Sequence, residues 1–187
     1  MRTPLGLLWA LAGVGLLAAA ACRGGARGHV APFVRPELPA GFVEASGDGW
    51  KVAVPATWGP STQSRATAWV YDDPQAADDY RANVSVITEP FAGKSYAYGR
   101  ATEAALRRDK RANVETCREA IIDGDPTFVI ESRWVAAGPG AGAFRTIQAD
   151  LASRGTGYVV TCAASVRAFE RYRSTCEAIV RSFAVVR

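Results

Sequence analysis

The stretch from Tyr158 to Phe183, YVVTCAASVRAFERYRSTCEAIVRSF, constrains the fold of this 187-residue chain more than any other. Its first part is a short apolar strand. Its second part places Phe169, Tyr172, Cys176, Ile179, Val180 and Phe183 on one helical face and Arg167, Glu170, Arg171, Glu177 and Arg181 on the other. A helix with such a stripe must cover something apolar, and the strand that feeds it supplies a sheet. One cysteine lies in each element. The spacing predicts a Cys162–Cys176 disulfide that clips helix to strand. Cys117 with Cys176 is the competing pairing, because Cys162 lies near its strand's end and Cys176 more than two turns into the helix. A bridge requires Cα atoms within ~7 Å.

The rest of the chain supplies that sheet. Gly41 to Ala45 and Trp50 to Val54 flank Ser46-Gly47-Asp48-Gly49, a hairpin signal. Trp50, Val52 and Val54 share one face by two-residue alternation, Pro55 ends the strand, and Trp58 folds back over its end. Ala66 to Tyr71 and Asn83 to Glu89 are two further strands. Ser95 to Arg108 is predicted as a helix with a stripe of Tyr98, Ala101, Ala105 and Leu106, interrupted by Gly99. From Val114 onward, Gly- and Pro-containing breaks cut the chain into a four-strand meander that ends at Ala163.

The N-terminus has a different character. One positive charge, Arg2, precedes an apolar run of about 17 residues, Leu5 to Ala21, shorter than the ~20 that span a bilayer as a helix. This is the pattern of a secretory signal. Leu16-Leu17-Ala18-Ala19-Ala20-Ala21-Cys22 resembles the lipobox of bacterial lipoproteins, with Ala19 where leucine is preferred. The resemblance implies cleavage after residue 21 and lipidation of Cys22; ordinary cleavage that leaves Cys22 as a free thiol is the alternative. Residues 22–40, rich in Gly, Ala, Pro and Arg, form a tether, and residues 41–187 one domain. Arg23 after the cysteine points to the outer membrane, with the domain facing the periplasm. The single histidine, His29, falls in the tether, where no fixed neighbours can make it a ligand or base.

Few residue patterns carry chemistry. With no histidine in the domain, Ser–His and Cys–His nucleophiles are excluded. Cys117 is left over if Cys162 pairs with Cys176, and Arg118 beside it points to the opposite face of a strand. Asp72, Asp73, Asp78 and Asp79 form an acidic loop without calcium-loop spacing. Gly138 to Gly142 lacks the lysine and the following helix of a phosphate cradle. No zinc spacing is present, and no metal or cofactor is expected. The chain holds 22 Lys and Arg, of which Arg2 leaves with the signal, against 18 Asp and Glu. A dispersed net of about +3 does not favour nucleic acid.

The hairpin ending Val54-Pro55-Ala56-Thr57-Trp58, the middle helix, the meander, Tyr158 to Cys162, and the closing helix ending Ile179 to Phe183 are together similar to PsbP-like and DcrB-like domains. The resemblance covers roughly Phe42 to Val185. It implies an α+β fold: an α/β/α sandwich around a curved antiparallel sheet. Members serve as photosystem II subunits, regulators of a nuclear-transport GTPase, toxin chaperones and bacterial lipoproteins, without shared catalytic residues. The expected function is therefore a non-enzymatic, lipid-anchored envelope protein that binds a protein partner. The alternative is a small-ligand or lipid carrier, with a pocket between sheet and C-terminal helix lined by Trp50, Trp69, Trp134 and Tyr158.

Overall fold

Alternating side chains and turn glycines build most of the chain into antiparallel strands, and the computed structural model describes them over residues 37–62, 68–75, 80–135 and 142–186. The leader, Cys22 and the tether up to residue 36 lie outside the described residues, as do Asp78, Asp79 and most of the Gly138–Gly142 loop. β1 (Phe42–Gly47) and β2 (Trp50–Pro55) form the first hairpin. After it come β3 (Gly59–Pro60), β4 (Ala68–Asp72), β5 (Asn83–Pro90) and α1 (Ser95–Arg108). The meander is β6 (Ala112–Ile122), β7 (Asp125–Val135), β8 (Ala143–Ser153) and β9 (Thr156–Ser165). α2 (Phe169–Ser182) and the short β10 (Ala184–Val185) close the chain.

Two sheets result. A seven-stranded sheet has the order β3-β4-β5-β9-β8-β7-β6, and a three-stranded one the order β1-β2-β10. β9 joins the N-terminal strands to the meander by pairing with β5 on one side and β8 on the other. The β6–β7 and β8–β9 turns each carry two successive residues at positive φ: Asp123 (53°) with Gly124 (81°), and Arg154 (51°) with Gly155 (84°). That is the mirror-image turn whose twist matches paired strands. The Asp123 carboxylate also accepts a hydrogen bond from the Val185 N–H at 3.1 Å, which ties β10 to the large sheet's hairpin.

α1 packs over β6, β7 and β8, while α2 packs on the opposite face over β8, β9 and β2. The fold is thus the expected PsbP-like α+β arrangement. The main core lies on the α2 side, where Val84, Ile147, Leu151 and Val160 of the sheet meet Phe169, Ile179 and Phe183, with Trp50, Val52 and Val54 of the small sheet. A smaller cluster of Leu106, Phe128, Ile130 and Trp134 lies under α1.

The stripe of α1 differs from the sequence reading. Tyr98 and Leu106 are buried as expected, but Ala101 is exposed, and Ser95, Gly99 and Glu103 face inward. The reason is close approach. A Cβ on Gly99 would sit 3.0 Å from the Phe128 ring and 3.3 Å from the Thr127 hydroxyl, so the helix rests on β7 through its glycine. Glu103 is tolerated inward because Arg100 and Arg107 of the same helix both bond its carboxylate.

Candidate functional site

The two faces of the large sheet carry different chemistry, beginning with the pattern of β8. Ile147, Ala149 and Leu151 belong to the α2-side core. Thr146, Gln148 and Asp150 alternate with them and face the α1 side, all buried.

On the α2 side, a charge network fastens the helix to the sheet. Arg145 on β8 bonds Glu131 on β7, Glu115 on β6 at 2.7 Å and Glu170 on α2 at 2.6 Å. Arg173 on α2 adds bonds to Glu131 at 2.9 Å and Glu170 at 2.8 Å. Both guanidinium groups lie over the Phe169 ring, at 4.5 and 5.0 Å from its centroid. The hydrogen bonds from Arg173 hold the Glu131 carboxyl below the usual carboxylate range, and those to Glu170 bring that carboxyl down to about 2. These groups are mutually satisfied and clamp α2.

Glu131→Gln should therefore lower stability by about 1–3 kcal/mol at pH 7. This is less than a fully buried pair would give, because Arg173 is partly in water. A carboxylate whose pKa is depressed on folding contributes fully above its unfolded value, about 4.3, and loses that contribution as pH falls below it. The gap between wild type and variant should narrow at pH 3. Urea midpoints at both pH values measure this, and an unchanged gap would disprove it.

Cys162 and Cys176 are joined by a disulfide on the same side, with Cα atoms 5.2 Å apart. The competing Cys117–Cys176 pairing is ruled out by the sheet itself. Cys117 packs with the cluster under α1, whereas Cys176 is in the core under α2. Cys117 is the free thiol among the described cysteines; burial first and then the neighbouring Glu103 push it up to about 11, which disfavours the reactive thiolate. Arg118 points the other way, toward Glu177 of α2 at 3.7 Å.

The four aromatic residues read as a pocket do not share one surface. Trp50 meets Trp69 at 4.8 Å and Phe183 at 6.2 Å, and Tyr158 meets Phe183 at 6.3 Å, so these rings pack against one another within the main core. Trp134 lies across the sheet under α1, donating to the Thr146 hydroxyl at 3.3 Å and stacking on Phe144 at 6.0 Å. Of the acidic loop, Asp73 accepts from the Tyr172 hydroxyl at 2.7 Å and from the Gln75 N–H, a structural role. No group of three or more potential metal ligands occurs among the described residues.

Beside its small apolar cluster, the α1 side buries polar groups that the main core lacks. Thr127, Ser132, Thr146, Gln148 and Asp150 all lie buried beneath α1. Ser95 anchors the helix's first turn by accepting from the Ala152 N–H at 2.9 Å. Tyr98 donates to Glu89 at 2.5 Å, and its ring sits over Gly157, where a Cβ would come within 2.7 Å of it. Beside the helix's first turn is an open cleft of about 460 Å³ lined by Lys94, Ser95, Asp125, Ser153 and Arg154. It presents charges of both signs.

Beyond α1 the same face continues onto β9 and β5. The register aligns Asp150 with Val159 and Val159 with Ile87, and likewise Gln148 with Thr161 and Thr161 with Ser85. Ile87 is 37% exposed and Val159, Thr161 and Ser85 are half-buried, so a strip of this sheet lies open beside the helix. The sequence reading did not single it out. Its one signal was that β5 and β9 carry apolar residues on both faces.

The arrangement of layers is the PsbP-like α+β fold. The chain is similar to cyanobacterial PsbP (CyanoP) from Synechocystis sp. PCC 6803, with 18% identity over 78% of this chain and 93% of that one, at a TM-score of 0.53. It is also similar to the Ran-binding protein Mog1p of Saccharomyces cerevisiae, with 16% identity over 78% of this chain and 94% of that one, at a TM-score of 0.51. No protein-family model matches the chain, and no curated protein matches it.

Proposed function

We propose that this protein is a non-enzymatic accessory module of a bacterial envelope, held at a membrane through lipid on Cys22 and binding a second envelope protein along the open strip beside α1. The strip is what supports this reading. A half-exposed apolar row in the middle of a sheet, next to a helix that already covers the neighbouring strands, leaves room for another apolar-faced element. Ile87 and Val159 would be its centre, with Ser85 and Thr161 offering hydroxyls to the partner's backbone. The Ran-binding protein among the similar folds fits an interaction role. More than one acyl chain at Cys22 would supply stable anchoring, since a single chain binds a bilayer only marginally.

The test is purification of the lipidated protein from detergent-solubilised membranes, followed by mass spectrometry. One near-stoichiometric partner is expected with wild type. Ile87→Asp, checked for a wild-type circular dichroism spectrum, should reduce its recovery at least about tenfold, a loss of about 1.4 kcal/mol of binding. Cys22→Ala should move the protein from the membrane to the soluble fraction. A wild-type sample without a partner, or a partner that Ile87→Asp retains, would count against the proposal.

A further inference from the structure

Asp150 lies at the centre of β8, fully buried beneath α1. Its Oδ1 accepts from the Gln148 amide at 3.3 Å; its Oδ2 has no partner at hydrogen-bond distance, although the Thr102 hydroxyl of α1 lies nearby and favours the ion weakly. A buried carboxylate needs donors for most of its lone pairs, whereas the neutral acid needs fewer and carries no charge out of water. The surroundings offer the ion little. From α1 come Tyr98 and Thr102, from β5 Glu89, from β7 Thr127, and from β9 Val159. Thr127 is engaged with Asp150's own carbonyl, and Tyr98 donates its proton to Glu89. Of the three cations of the overlying helix, Arg100 and Arg107 are both bound to Glu103, and Arg108 is exposed at its C-terminal end. Glu89 is itself acidic, so a charge on Asp150 would face a like charge.

We propose that α1 is a proton-controlled cover: it stays seated while Asp150 keeps its proton and lifts from β8 to let water reach the carboxylate once that proton is lost. Two routes could admit water. Separating β8 from its neighbours breaks ladder bonds to β7 and β9 on both sides. Lifting α1 breaks the Ser95, Tyr98–Glu89 and Tyr96–Glu119 bonds and uncovers only the small cluster around Leu106, while the sheet ladder and the main core stay intact; Lys94 at its start provides no side-chain cap to lose. The helix is the cheaper door.

The direction with pH follows. Burial, the largest cause, pushes the closed-state carboxyl up to about 8; Gln148 opposes the rise, Glu89 adds to it, and Thr102 opposes it. With α1 lifted, the group returns to the ordinary value near 4. The closed form therefore binds a proton that the open form releases, and opening becomes more favourable as pH rises from about 4 to about 8 and then levels off. Tyr98 stays neutral throughout this range, since burial and then Glu89 raise it well above 10.

Hydrogen exchange followed by mass spectrometry on the full-length protein in detergent tests the cover, with rates corrected for the intrinsic effect of pH. Protection of the α1 amides should lie below that of α2 and fall about tenfold per pH unit between pH 5 and 8, levelling above 8. Asp150→Asn, nearly isosteric with the neutral acid, should flatten the profile. Glu89→Gln, which removes a like charge, should move the levelling point to lower pH, and it tests the proposal even if Asp150→Asn fails to fold. Flat α1 protection in the wild type, the same fall in Asp150→Asn, an unmoved levelling point in Glu89→Gln, or equal protection of the two helices would each overturn it.

Discussion

Replacing Phe169 with alanine is expected to lower the unfolding free energy by about 3–5 kcal/mol. The ring is completely buried at the first turn of α2. Below it is the main core, and above it stand the guanidinium groups of Arg145 and Arg173. Truncation removes the apolar contacts, leaves a cavity between helix and sheet, and takes away the π-face that both cations use. Because the same two arginines hold Glu131 and Glu170, the clamp loses its seat as well. Denaturant unfolding should show a lower midpoint with an unchanged slope. A loss below about 1 kcal/mol would mean that the helix is held by its charges rather than by its stripe.

Removing the disulfide should have the next largest effect. A closed loop of about 15 residues is worth ~3 kcal/mol in the chain-entropy account, and the bridged cysteines are separated by 14 positions. The Cys162→Ser/Cys176→Ser double variant should therefore unfold with a correspondingly lower midpoint, and it also places two hydroxyls in the core, since both positions are fully buried. Thiol counting on unreduced, unfolded protein provides the matching chemical check. Cys117 should react and Cys162 and Cys176 should not; labelling of all three would rule the bridge out.

The bridge also illustrates what the chain discloses before it folds. In sequence, Cys162 near its strand's end and Cys176 more than two turns into the helix are an objection to the pairing, but β9 runs on to Ser165 and the offsets match. Three strand steps of about 3.3 Å separate Cys162 from Ser165, and seven helix steps of 1.5 Å separate Phe169 from Cys176, about 10 Å in each case. A tight turn at residues 166–168 folds the helix back over the strand, so the two sulfurs arrive at the same height. The strands of the meander and both helix spans were likewise legible, because periodicity and turn glycines are local properties. The α1 stripe was not, because a glycine and a glutamate at the inner positions make sense only with Phe128 beneath one and two arginines flanking the other. Thr146, Gln148 and Asp150 alternate perfectly with apolar neighbours, which in a lone strand denotes a solvent face; only the sheet order shows that a helix covers it. The open strip was hidden for the same reason. β5 and β9 are distant in sequence, and no local pattern announces that they lie side by side.

The unlike floors beneath the two helices give the domain two thermal responses. Uncovering the α2 side hydrates mostly hydrocarbon, which raises the heat capacity, whereas uncovering the α1 side hydrates hydroxyl, amide and carboxyl groups that lower it and offset the contribution of Leu106 and its neighbours. The α2 contact thus draws on a driving force that fades toward the freezing point, and the α1 contact depends on it less. Cooling narrows the difference in hold between the two helices, and warming toward body temperature widens it.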